Sequence, residues 1–194
     1  MVDQVKKQAP ATVITEADVL AREAKEGAAR EIIKGQWAAH SEMAGQKHGL
    51  ISKRVLRKPD NFVAENKLGE VYPDSTTYVL DGEPGHIHTQ RIPDVSFVRE
   101  ARVDRDNPGL MYLTPDLAVE VLSPNEPSAQ TLGKMAADYL RFGASQVWAI
   151  DPEEQAITVY TPDSRAHIYT ATHTLTADDL LPGFSLAVSY IFND

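Results

Sequence analysis

The run Leu117 to Leu122, LAVEVL, is apolar on both alternating faces and is interrupted by a single acid. A strand with one wet face alternates apolar and polar residues, so an unbroken apolar run reads as a strand covered on both sides, inside a layered domain. The flanking sequence supplies the layers. Pro127 opens a helix whose Leu132, Met135, Ala136 and Tyr139 form one stripe, with Gly143 in the usual position after its end. A hairpin follows, VWAI and AITVY joined by a turn over Asp151 to Gln155.

Upstream, Thr15 and Asp18 form a variant capping box that starts a short helix through about Ala24. Ala28 to Trp37 reads as two short strands or a bent one, and Gln46 to Arg57 as a helix that Pro59 stops. Leu68–Tyr72, Thr76–Leu80 and Ile92–Val98 read as strands, divided by Asp81-Gly82 and by a Gly/His loop. This order predicts an α/β domain with a mixed central sheet flanked by helices. With 194 residues and no linker or internal repeat, the expectation is one domain over 15–194 behind a flexible lead-in over 1–14.

The chain has no cysteine, so disulfide frameworks, zinc fingers and thiol nucleophiles are excluded, and any metal must be held by carboxylate or histidine. No stretch approaches the roughly 18 apolar residues of a membrane span, and Met1 to Pro10 is polar where a secretory signal is apolar. A cytoplasmic protein without a membrane partner is expected. A net charge of −9 is the wrong sign for coating nucleic acid, but it is compatible with a nuclease, which concentrates carboxylates around metal and needs only a local basic strip.

Two acids interrupt apolar strands, where an unpaired charge is costly: Asp94 in RIPDVSFV and Glu120 in LAVEVL. Alternation places Asp116, Ala118, Glu120 and Leu122 on one face, and Asp94 with Ile92, Ser96 and Val98. If the two strands are neighbours, both carboxylates can chelate one hard divalent cation, Mg²⁺ or Mn²⁺. The competing explanation is structural, with Glu120 paired to an arginine and Asp94 capping a turn.

The succession PDVSFV, TPDLAVEVLSP, a helix with K-x4-Y-x3-G, and VWAIDPE resembles the Uma-two type of restriction endonuclease, a branch of the PD-(D/E)XK nuclease superfamily. REIIKGQW, KHGLI and LPGFSL extend the resemblance over about residues 29–186. It implies a restriction-endonuclease-like sheet with flanking helices and metal-dependent hydrolysis of phosphodiesters, in DNA as the expected substrate. It assigns Asp94 to the PD aspartate and Glu120 to the acid of (D/E)XK, these two holding the metal, with Glu31 as a third acid. The plain motif has lysine two residues after that acid, where this chain has Leu122. The resemblance moves the lysine onto the following helix, as Lys134. On its own geometry Lys134 flanks the apolar stripe, about 100° from Met135, and a solvated lysine beside Asp138 is the plain alternative. For Glu31 that alternative is an exposed residue beside Lys34.

Lys47, Lys53, Arg54, Arg57 and Lys58 form a basic helix face that either tracks a phosphate backbone or is simply solvated. His86 and His88 in GHIH could share a strand face and bind a transition metal, but their Gly and Pro neighbours favour a loop. His48 begins a helix, where it caps or hydrogen-bonds, and His40, His167 and His173 carry no motif. No Walker loop, GxGxxG or GxSxG is present. A homodimer suits cutting both strands of a duplex. The alternative from another class is a catalytically inactive relative acting as a binding or assembly module.

Overall fold

The computed structural model describes residues 13–38, 45–123 and 128–193, without the side chains of 128–132. The elements run α1 Glu16–Glu26, β1 Ile32–Ile33, β2 Gln36–Trp37, α2 Gln46–Asn66, β3 Gly69–Pro73, β4 Tyr78–Glu83, β5 His86–Arg91 and β6 Val95–Arg99. After a 3-10 turn at Glu100–Arg102 come β7 Leu117–Val121, α3 Ser128–Arg141, β8 Gln146–Asp151, β9 Ala156–Tyr160, β10 Ala166–Thr170, β11 Thr174–Thr176, β12 Ser185–Ala187 and α4 Ser189–Phe192. Pro127 and His40 lie outside the described residues.

The apolar run at 117–122 is an interior strand of a six-stranded sheet ordered β10-β9-β8-β7-β6-β3. Only β7 and β8 are parallel; the other neighbours are antiparallel. A parallel pair cannot be closed by a tight turn, so α3 crosses over between them and covers one face. Ala118 meets Ala136 and Tyr139 of α3 there, while Leu117, Val119 and Val121 point to the opposite face and pack against Ile51, Val55 and Val63 of α2. Hence both faces of β7 are apolar, except at Glu120.

Pro59 does not stop α2, which continues to Asn66. Proline forfeits one helical hydrogen bond. Here its ring falls on the buried stripe Ile51, Val55, Pro59 and Val63, so burial against the sheet outweighs that loss. Lys67, with φ 54°, ends the helix, and Leu68 donates its N–H to the Val63 carbonyl at 3.0 Å.

The six-stranded sheet is the mixed central sheet expected, and among the described residues a four-stranded sheet β2-β1-β5-β4 and a two-stranded sheet β11-β12 accompany it. The Gly/His segment is β5, not a loop. The hairpin turn falls at Pro84 and Gly85, and Asp81-Gly82 is an irregularity within β4 instead of the turn. Gly82 has φ 138°, and a Cβ there would lie 2.5 Å from the His86 carbonyl oxygen, so glycine is needed for backbone approach across the hairpin. The strand expected from Ile92 begins at Val95, because Pro93 has no N–H for a ladder. The capping box at Thr15 and Asp18 is present. Ile14, read as part of the lead-in, is buried, and its carbonyl accepts from Ile87.

Candidate active site

The ladder between β6 and β7 pairs Val95 with Val119, Ser96 with Ala118 and Phe97 with Leu117. The ladder ends at the Val95–Val119 pair, one residue short of Asp94 and of Glu120. The chain bends at Asp94 just before β6, and the Asp94 carboxylate accepts the Val121 N–H at 2.6 Å. His48, in the first turn of α2, places Nε2 3.0 Å from the Val121 carbonyl oxygen and 3.4 Å from Asp94 Oδ2. Neighbouring strands and one helix start therefore bring together residues far apart in the chain.

Glu120 lies on the Ala118 face of β7, under α3. Tyr139, fully buried on α3, donates its hydroxyl to Glu120 Oε1 at 2.8 Å. Burial drives the Glu120 carboxyl well above the usual carboxylate range, and the charges of Asp94 and Glu31 push it further, against the opposing pull of the Tyr139 bond and the Arg91 charge. The Tyr139 hydroxyl is likewise held well above its ordinary value by burial and by Glu120 and Glu31. Burial and like charge combine in this way both at functional sites and in structural ion-pair networks.

Glu31, immediately before β1, joins the cluster and is not paired with Lys34. Its carboxylate accepts from Arg91 Nη1 at 2.8 Å and from the Ile92 N–H at 3.3 Å. Arg91, the last residue of β5, also reaches Asp138 of α3 at 2.5 Å. Burial alone would weaken the hold of Arg91 on its proton, but Glu31, Tyr139 and Asp138 more than offset it, so the guanidinium is a fixed cation. Because Asp138 is taken by Arg91, it is not the partner of Lys134. Lys134 is exposed one turn earlier on α3, and among the described residues it makes no ion pair.

The basic face of α2 is divided. Arg54 donates to the Ile191 carbonyl at 3.1 Å, and Lys58 stands 4.9 Å from the Tyr190 ring, so these two contact α4. Lys53 and Arg57 are exposed, and Lys47 pairs with Glu153 at 3.1 Å. On β5, His88 Nδ1 lies 3.0 Å from Asp81 Oδ2, while His86 is exposed. Among the described residues no three histidine or carboxylate side chains converge as a ready-made cage for an ion. Two carboxylates nevertheless suit Mg²⁺ or Mn²⁺, which keep waters and take further oxygens from a phosphate. A cavity of about 540 Å³ lies elsewhere, lined by Leu20, Glu70, Tyr72, Arg105 and Met111 among others, and shares no residue with the acid cluster.

Sequence reasoning missed Arg91, Asp138 and Tyr139 as members of the cluster. Arg91 stands three residues before Asp94 in an otherwise apolar segment, which was a usable signal. Tyr139 was hidden in the apolar stripe of its helix.

Residues 17–189 match the family model Uma2, described as "Putative restriction endonuclease". A crystal structure of "a putative nuclease belonging to DUF820" from Anabaena variabilis ATCC 29413 superposes with a TM-score of 0.73 at 21% identity, covering 86% of this chain and 90% of that one. It supports the fold. No curated protein matches the chain.

Proposed function

Because the chain belongs to the Uma2 family of restriction-endonuclease-like proteins, we propose that it is a divalent-metal-dependent endonuclease that hydrolyses phosphodiester bonds in DNA. The observation that supports this reading is that the Asp94 carboxylate accepts the Val121 N–H, next in the chain to Glu120, whose carboxyl feels the charge of Asp94. Asp94 and Glu120 are the residues that hold Mg²⁺ or Mn²⁺. When bound, the ion supplies a lowered pKa for attacking water and neutralises charge on the phosphate.

The protein's own groups have separable tasks. The Val121 N–H and His48 fix the Asp94 carboxylate. Tyr139 aims Glu120, in the manner of the outer partners that orient metal ligands. Glu31 adds negative potential to the same cluster. Lys134, on the solvent side of α3, can approach a phosphate that lies over the cluster, and exposed Lys53 and Arg57 extend a basic strip toward the nucleic-acid backbone. A cytoplasmic homodimer belongs to the same proposal, since two-fold symmetry serves both strands of a duplex.

Supercoiled plasmid incubated with the full chain and millimolar Mn²⁺ tests the reading. Nicking or linearisation is expected, with loss in EDTA and in Asp94→Ala. Leu122 in place of the motif lysine, with its N–H tied to the Ile150 carbonyl at 2.9 Å, is the feature that favours an inactive binding module instead. Failure to cleave both DNA and RNA would decide for that module, and cleavage surviving Asp94→Ala would remove the carboxylate site from the mechanism.

A further inference from the structure

Arg91 is charged where charge is costly, with only 6% of its side chain exposed. Its guanidinium is forked between acids from two layers, Glu31 before β1 and Asp138 on α3. Its Nε is buried and has no hydrogen-bond partner among the described residues. The next residue after Asp138 is Tyr139, which holds Glu120. Stability alone is a poor reason for this arrangement, since well-packed apolar residues often match or exceed a buried ion-pair triad.

We propose that Arg91 is a positioning residue of the carboxylate site; the inference rests on the nuclease reading. Through Asp138 it sets the rotation of α3 over β7, so that Tyr139 meets Glu120 and the turn bearing Lys134 stands at a fixed place. Through Glu31 it draws the third acid inward. Its positive charge stands behind the carboxylates and opposes the charge of any cation they hold. Order and charge therefore act in opposite directions. The order supports turnover, whereas the charge weakens cation binding.

Three full-length variants separate the two effects. Arg91→Met removes both, so its dissociation constant for Mn²⁺ alone, by isothermal titration, is expected to fall at least threefold, while kcat on plasmid falls at least tenfold with KM within twofold. Arg91→Lys restores a point charge but cannot fork to both acids. It is expected to return the Mn²⁺ constant toward wild type while kcat stays low. Asp138→Ala keeps the cation and breaks only the α3 arm; it should lose kcat tenfold without tighter Mn²⁺ binding, and it carries the test if Arg91→Met does not fold. A purely structural role would lower the unfolding temperature in EDTA and leave the Mn²⁺ constant and kcat of the folded protein within twofold of wild type. That result, for Arg91→Met or in its stead Asp138→Ala, would overturn the proposal. Wild-type protein that neither takes up Mn²⁺ nor cleaves would defeat the nuclease reading, and this inference with it; wild-type activity beside unchanged variants defeats the inference alone.

Discussion

Tyr139→Phe deletes one oxygen and nothing else. The ring is fully buried against Ala118 and Ala136, so phenylalanine fills the same space without opening a cavity. What disappears is the 2.8 Å donation to Glu120 Oε1. A hydrogen bond between neutral groups contributes about 1 kcal/mol and one to a charged group about 1.5–3 kcal/mol. The Glu120 carboxyl is raised, first by burial and then by Asp94 and Glu31, so it is protonated at low pH and gains charge only as pH climbs through its raised value. The cost of the substitution must therefore grow with pH. For a domain of this size roughly 2–4 °C of Tm accompanies each kcal/mol, which gives a fall of about 2–4 °C at pH 5 and about 3–12 °C once Glu120 is ionised. Thermal unfolding in EDTA from pH 5 to pH 9, followed by circular dichroism, measures it. A double-mutant cycle with Glu120→Gln isolates the pair, because the coupling should shrink when no carboxylate can form. If Tyr139→Phe melts within 1 °C of wild type at every pH, the bond does not hold Glu120, and the account of how α3 shapes the site fails.

Glu120→Gln should itself stabilise the metal-free protein at neutral and alkaline pH. A carboxyl whose folded pKa is raised contributes fully below its ordinary range and loses that contribution as pH rises through the folded value, so the variant and wild-type stability curves should converge below about pH 4; parallel curves would contradict this. Millimolar Mn²⁺ should raise the wild-type Tm but leave Asp94→Ala and Glu120→Gln unmoved, as read by differential scanning fluorimetry; equal shifts in all three would show the ion binding elsewhere. Replacing Lys53 and Arg57 with Ala should weaken DNA binding and lower the slope of log affinity against log salt by about 2, with no loss of Tm; an unchanged slope would return these residues to the solvated surface. Lys134→Ala should reduce cleavage at least tenfold without lowering Tm, and undiminished cleavage would end its catalytic assignment.

Local chemistry made several features legible in advance. An apolar run with two dry faces had to become an interior strand, and the β8–β9 hairpin and the Thr15 capping box depend on neighbours a few residues away. The acids that break β7 and precede β6 stood out because charge in an apolar setting demands a partner. The tertiary structure alone decided who those partners are. Pro59 continues a helix because the sheet beneath rewards its burial, and GHIH forms a strand because Glu83, Pro84 and Gly85, not Asp81-Gly82, shape the hairpin. Neither outcome can be read from propensity, which counts backbone preference but not the surface a segment will meet. Arg91, Asp138 and Tyr139 join Glu31 and Glu120 only once Arg91 of the four-stranded sheet reaches Glu31 and α3, and α3 reaches Glu120 of β7. Spacing along the chain records which residues are charged; the distances that let those charges act on one another arise only when separate layers close over the same strand.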